Sequence, residues 1–125
     1  MTRGCDTRAV WRRSKGWRPE EVLSQQLAMN PRTWEALQGH GVTQETKLRL
    51  DFAYDAPDEA TAEQFVAFLR AETDYDVRAE ATAVTGSTQP TTISPSILDE
   101  WVRWMVLAGY ENGRCKFDGW GAAVP

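Results

Sequence analysis

The sequence predicts an α+β fold in which helices pack on a single sheet, and three observations carry that prediction. Residues 47–55 alternate between apolar and mostly charged side chains, which is typical of a strand with one buried face. Residues 62–69 and 97–108 instead place apolar side chains at helical spacing. The chain has 125 residues, a length that suits one domain with its own core.

Two helix starts are predicted ahead of the first strand. Pro19 suits the first helical position, and the two glutamates after it lie at the positive end of the helix dipole. We expect this helix to run to about Met29. A second start follows, with Asn30 as the N-cap and Pro31 in the first turn. Residues 39–41, Gly-His-Gly, are expected to end it.

The first strand and the helix after it show different periodicities. In residues 47–55 one face is apolar and the other is largely charged. Pro57-Asp58-Glu59 opens a helix that is expected to end near residues 72–74. Four apolar side chains of this helix fall at i, i+3, i+4 and i+7 and form its core face: Ala62, Phe65, Val66 and Leu69.

Two weaker strands are predicted next. Residues 75–83 alternate again, although several alanines weaken the pattern. Residues 86–90, Gly-Ser-Thr-Gln-Pro, are expected to break the extended structure. A third, short strand is predicted within residues 82–92, where Val and Thr favour extended backbone.

The last helix is predicted to begin with Ser94 as N-cap and Pro95 at the first position. Its apolar residues cover more than one stripe, because Trp104 and Leu107 lie well round from the main face. Such a helix is either deeply buried or docked on a partner, and the sequence leaves both open. The main core face is formed by Leu98, Trp101, Val102 and Met105.

A final strand is predicted within residues 114–123, with Cys115 and Phe117 on one side. The resulting order is the ferredoxin-like one, an antiparallel βαββαβ sheet with helices on one face, here preceded by one or two N-terminal helices. Residues 19–125 are expected to form this single domain, with residues 19–41 as its helical extension. The first and last strands are then antiparallel neighbours, and the second face of the sheet is polar, covered or used for binding.

Charge divides the chain into a basic arm and an acidic body. Residues 1–18 hold six basic residues and one acidic residue, a net charge of +5, whereas the rest holds eight basic and seventeen acidic residues, a net charge of −9. We expect the arm to be flexible and to be a tail, a stretch upstream of the native start, or a contact for nucleic acid or an acidic partner through Trp11 and Trp17. The acidic body disfavours nucleic acid as the main partner.

No catalytic, cofactor-binding or metal-binding residue is predicted. Cys5, His40 and Cys115 lack zinc-ligand spacing, and no glycine-rich loop has phosphate-binding spacing. Asp51 and Asp118 could form an acid/base pair across the first and last strands, but a solvated ladder with Arg49 and Lys116 is the plainer interpretation. The few cysteines and the lack of a long apolar run or export signal favour a cytoplasmic protein with no membrane contact.

The segment Asp118-Gly119-Trp120-Gly121 has the most distinctive spacing in the chain. Two glycines around a tryptophan allow a bulge at the end of a strand. Such a bulge either drops Trp120 onto the core or leaves the indole exposed as a contact anchor. Both interpretations stay open at this point.

Residues 117–121, Phe-Asp-Gly-Trp-Gly, preceded by a helix with Leu98-Asp99-Glu100-Trp101, resemble the C-terminal signature of the regulator of ribonuclease activity B family. The order of residues 50–54, the helix at 58–60 and residues 74–77 is also similar, so the resemblance covers roughly residues 30–125. It implies a ferredoxin-like fold and a bacterial inhibitor of ribonuclease E that acts by protein–protein contact. It supplies no catalytic residues.

The expected function is therefore that of a non-catalytic regulatory protein that binds an RNA-degrading enzyme of the ribonuclease E type. The alternative is a homodimeric structural or small-ligand-binding module of the same fold with no link to ribonuclease. The candidate partner-contact residues are Asp118, Gly119, Trp120, Gly121, Trp104 and Asp51.

Overall fold

The computed structural model describes residues 16–123, which form three helices and one four-stranded antiparallel sheet. The helices are α1 (Pro19–Gly39), α2 (Glu59–Glu72) and α3 (Pro95–Glu111), and the strands are β1 (Leu50–Asp55), β2 (Asp76–Glu80), β3 (Ala83–Ser87) and β4 (Lys116–Ala122). The strand order is β2-β3-β1-β4. The α+β class is confirmed, as is the antiparallel pairing of β1 with β4. The basic arm predicted at residues 1–18 lies outside the described residues except for its last three.

Strand β1 organises the core because it lies between β3 and β4. Its Leu50, Phe52 and Tyr54 side chains are buried, whereas Asp51 and Asp55 are exposed on the opposite face. The buried side chains pack against apolar residues of α2 and α3, so the alternation predicted from the sequence is confirmed. The Tyr54 hydroxyl donates to the Met105 carbonyl at 2.7 Å, which fixes α3 on β1. The opposite face of β1 is not part of this core.

The predicted break at Asn30 is wrong, because α1 is one 21-residue helix with Pro31 inside it. A proline inside a helix removes one backbone hydrogen bond and costs about 3 kcal/mol. Buried side chains on both sides of Pro31, among them Val22 and Trp34, hold the helix together across it. The Asn30 side chain is itself buried and does not act as a cap. The helix ends at Gly39, as predicted.

Helix α1 packs mainly on α3 and also touches β4. The chain therefore differs from a plain βαββαβ unit by a long helix that precedes β1 and shares its core. The starts of the other two helices are confirmed. The Asp58 carboxylate accepts from the Thr61 amide at 2.7 Å, and the Ser94 hydroxyl accepts from the Ile97 amide at 3.3 Å.

The break predicted within residues 86–90 is wrong for its first two residues, because Gly86 and Ser87 belong to β3. The chain turns earlier, at Ala81 and Thr82, where Ala81 has a φ of 54°. Gly86 lies in the strand for reasons of packing. A Cβ atom there would lie 2.7 Å from the Phe52 ring, so only glycine leaves room for that ring against the strand.

Gly109 of α3 makes a similarly close contact, and we predict that Gly109→Ala destabilises the fold. A Cβ atom there would lie 2.6 Å from the Tyr54 ring and would collide with the Cys115 carbonyl oxygen, which is backbone and cannot rotate away. We expect a loss of about 1–3 kcal/mol in the free energy of unfolding, measured in urea.

Gly39→Ala is the matched control, because a Cβ atom at that helix end meets nothing within 4 Å. Its free energy of unfolding should be unchanged or raised by up to about 1 kcal/mol. Equal losses in the two variants would contradict the packing explanation.

Candidate functional site

A β-bulge in β4 sets the direction of the side chains in the Asp-Gly-Trp-Gly segment. Ala53 pairs with Gly119 and Tyr54 pairs with Phe117, so Asp118 is the extra residue. Gly119 has a φ of +133°, a backbone conformation that favours glycine. In a regular strand, residues 117 and 120 would point to opposite faces. The bulge shifts the alternation by one residue, and Phe117 and Trp120 both pack on the core.

The half-buried Trp120 indole joins three elements. Its Nε1 donates to the Asn30 Oδ1 atom of α1 at 2.9 Å. The Asn30 Nδ2 atom donates in turn to the Asp99 carboxylate of α3 at 2.9 Å. Asn30 is only 2% exposed, so these two bonds satisfy a polar side chain within the core. Trp120 therefore links β4 to α1 and α3.

A second tryptophan, Trp101, connects Trp120 to Tyr75. The Trp101 ring meets Trp120 edge-on, with ring centroids 6.0 Å apart. The Trp101 Nε1 donates to the Tyr75 hydroxyl at 2.9 Å. Burial raises the pKa of the Tyr75 hydroxyl, while its hydrogen bond from Trp101 acts in the opposite direction. The hydroxyl therefore stays protonated at neutral pH and keeps its own proton to donate.

The exposed side of the bulge lines a shallow groove between α1 and the sheet face that the helices leave open. The groove has a volume of about 390 Å³. Asp51 and Asp118 supply exposed carboxylates, and Met29 of α1 supplies an apolar side chain that is 55% exposed. The groove is lined by Gln26, Met29, Thr33, Asp51, Phe52, Ala53, Asp118, Gly119 and Trp120. We call this feature the bulge groove.

The structure brings together most of the contact residues predicted from the sequence. Asp51, Asp118, Gly119 and Trp120 line the bulge groove, and Gly121 is the register partner of Asp51. Sequence reasoning missed Met29, which comes from a helix far away in the chain and carries no motif. Local spacing gave no signal of its exposure, because Met29 lies seven residues after the buried Val22, on the same side of the helix.

The predicted ladder of charges across β1 and β4 does not form as described. The Arg49 guanidinium bonds to Asp76 of β2 instead of a residue on β4. The Asp51 carboxylate accepts from the Ser87 hydroxyl at 2.5 Å. Asp55, rather than Asp51, is the register partner of Lys116. The acidic groups of the bulge groove are therefore not neutralised by the bases that the ladder would have supplied.

Trp104 lies apart from the bulge groove, on the outer face of α3. It is 41% exposed, and its ring stacks on Phe68 of α2 with an interplanar angle of 17°. Leu107, one turn further along, is 39% exposed. The sequence prediction that these two side chains point away from the core face is confirmed.

Cys115 is fully buried between α3 and the sheet. Burial raises the pKa of its thiol from the ordinary 9.0 to about 11, and the Asp58 and Asp55 carboxylates add to the shift. The thiolate is the nucleophilic form of cysteine, so this thiol is held in its unreactive form.

Within residues 16–123, no group of three or more His, Cys, Asp or Glu side chains could hold a metal ion. No helix in the same range is long and apolar enough to cross a membrane. No protein-family model matches the chain, and no curated protein sequence matches it.

We predict that Asn30 and Trp120 are energetically coupled. Asn30→Leu removes the acceptor for the indole N–H, and we expect it to cost about 1–3 kcal/mol of unfolding free energy because a part-buried donor loses its partner. In a Trp120→Phe background the same change should cost less, since no indole N–H remains. Urea unfolding of the wild type, both single variants and the double variant measures the coupling. Strict additivity would contradict the link.

We also predict that Cys115 resists thiol reagents in the folded protein. With a pKa of about 11, only roughly 0.1% of the thiol is ionised at pH 8. In a Cys5→Ser variant, labelling should be at least about tenfold slower without urea than in a denaturing concentration of it. The pKa of the Cys115 thiol is higher in the folded than in the unfolded protein. Its contribution to the free energy of unfolding is therefore complete below pH 9 and is lost as the pH rises towards 11. Equal labelling rates would contradict the burial.

Proposed function

We propose that this protein is a non-catalytic regulatory protein that binds an RNA-degrading enzyme of the ribonuclease E type and changes its activity by contact. The observation that carries the proposal is the bulge groove. It combines two exposed carboxylates, Asp51 and Asp118, with the exposed Met29 side chain on one open surface. Mixed acidic and apolar surfaces of this kind suit a partner segment that carries basic and apolar side chains.

The resemblance to the regulator of ribonuclease activity B family supports the same proposal. The Phe117–Gly121 stretch that carries the resemblance is also the stretch that forms the bulge. Four of its five residues have a part there: Phe117 and Trp120 pack inwards, Gly119 permits the turn of the backbone, and Asp118 faces the groove. A family that shared these residues would share the shape of this surface.

We also propose that the fold is ferredoxin-like, with α1 as an added helix. The element order from β1 to β4 is strand, helix, strand, strand, helix, strand. The sheet order, with β1 between β3 and β4, supports this description. Such a fold leaves one sheet face open, and the open face carries Asp51 and Asp55. The fold itself does not specify a function.

The alternative, a homodimeric module without a link to ribonuclease, is favoured by a different observation. Trp104 and Leu107 form an exposed apolar pair on α3, away from Asp51 and Asp118. Homodimerisation through that pair would leave the bulge groove open. A dimer and a regulator of ribonuclease are therefore compatible.

The test is RNA cleavage by a purified ribonuclease E-type enzyme, with and without this protein. We expect the wild type to bind the enzyme and to slow cleavage. Asp51→Lys/Asp118→Lys should raise the concentration needed for half-maximal inhibition by about tenfold or more, because it replaces two attractive charges with repulsive ones.

Glu72→Lys/Glu80→Lys is the matched control, since it changes the net charge by the same amount at two exposed sites outside the bulge groove. It should inhibit like the wild type. If the wild type neither binds the enzyme nor changes cleavage, the proposal is wrong. If both double variants lose inhibition equally, net charge and not the groove is responsible.

A further inference from the structure

Helix α3 has a second apolar face, which points away from the sheet. Its inner face is buried, with Leu98, Val102 and Met105 each fully covered. Trp104 and Leu107, separated by three residues, are 41% and 39% exposed on the other side. Large apolar side chains grouped on one helix face are typical of an interface.

Phe68 of α2 extends this apolar surface. Its ring is half-buried and stacks on Trp104 with centroids 6.5 Å apart. Phe68 and Trp104 line a shallow concavity with a volume of about 680 Å³. Its centre is apolar and its rim is charged, an arrangement found in protein interfaces. It is lined by Phe68, Glu100, Arg103, Trp104, Leu107, Ala108, Glu111 and Asn112. We call it the α3 outer face.

The charged side chains of this face can pair with those of a second copy. Arg103 and Glu111 lie four residues before and four residues after Leu107. Glu100 also lines this face, whereas Arg114 follows the end of α3 and does not line it. Arg114 is held beside the helix end, because its guanidinium lies 4.1 Å from the centre of the Tyr110 ring and donates to the Tyr110 carbonyl.

We propose that the α3 outer face is a homodimer interface, in which two copies of α3 pack antiparallel about a two-fold axis at Leu107. In that register, Arg103 of each copy is level with Glu111 of the other. This attractive pairing occurs twice, as the symmetry of a two-fold interface requires. Leu107 meets its own copy at the centre, and the two Trp104 rings lie on either side.

The charge pattern also selects the register and the kind of partner. An axis midway between Trp104 and Leu107 would place Glu100 level with Glu111 of the second copy, and two like charges would repel. The face carries one basic and two acidic side chains, a net charge of −1, so it does not attract nucleic acid. A second copy of the same chain is a partner that pairs Arg103 with Glu111 on both sides of the axis.

The dimer is independent of the proposed action on ribonuclease, because the α3 outer face and Asp51 belong to opposite sides of the sheet. The test is sedimentation velocity of the full chain at concentrations up to about 100 μM, a range that detects dimers with micromolar Kd. We expect the wild type to dimerise. Trp104→Ala should raise the dimer Kd by roughly thirtyfold or more, because the tryptophan is lost from both copies.

Charge reversal tests the register. Arg103→Glu alone and Glu111→Arg alone should each raise the dimer Kd by roughly tenfold, and the Arg103→Glu/Glu111→Arg double variant should return it to within a few-fold of the wild type. Ile97→Ala is the control, since Ile97 is an exposed apolar residue of α3, 47% exposed, that lies outside the α3 outer face. It should leave the Kd unchanged. Circular dichroism checks that each variant is folded.

Three results would overturn the proposal. One is a wild type that stays monomeric at every concentration. Another is a dimer whose Kd is unchanged by Trp104→Ala and by the single charge reversals, or whose Kd the double variant does not restore. The third is a monomer whose binding to a ribonuclease requires Trp104, which would assign the α3 outer face to that enzyme.

Discussion

One extra residue in the last strand decides how the rest of the molecule is arranged. Because Asp118 is inserted opposite Ala53 and Tyr54, both Phe117 and Trp120 point towards the helices. Trp120 can then reach Asn30, and Asn30 can reach Asp99. Without the bulge, the indole would lie on the open face, and the buried Asn30 side chain would lose one of its two partners. The docking of α1 thus depends on a backbone irregularity in the strand furthest from it in sequence.

Much of the fold could be predicted from the sequence because its signals are local. Alternation over residues 47–55 identified β1, and the Ser94-Pro95 pair identified the start of α3. The direction of Trp104 and Leu107 followed from helical spacing alone. These features depend on residues within a few positions of one another, so periodicity and capping chemistry describe them well.

The errors arose where distant residues override local preference. Asn30-Pro31 is a good helix start locally, yet Asn30 is needed by Trp120, which lies ninety residues later, and the helix continues through the proline. Gly86 has the local character of a strand breaker, yet the Phe52 ring requires a glycine within the strand. The bulge groove could be predicted only in part, because Met29 enters it from another element. A bulge was predicted at residues 118–121, but spacing alone could not decide whether Trp120 packs on the core or is exposed.

The position of Met29 has a consequence for how the bulge groove can be occupied. One wall of the groove belongs to α1 and the other to the sheet, so the groove exists only in molecules whose α1 is docked. A helix held by few elements is a natural unit of partial unfolding. Any occupant of the groove selects the docked population, and its apparent affinity is reduced in proportion to the fraction of molecules in which α1 is released. By the same linkage, a molecule bound in the groove would stabilise the docked state of α1 without contacting Asn30.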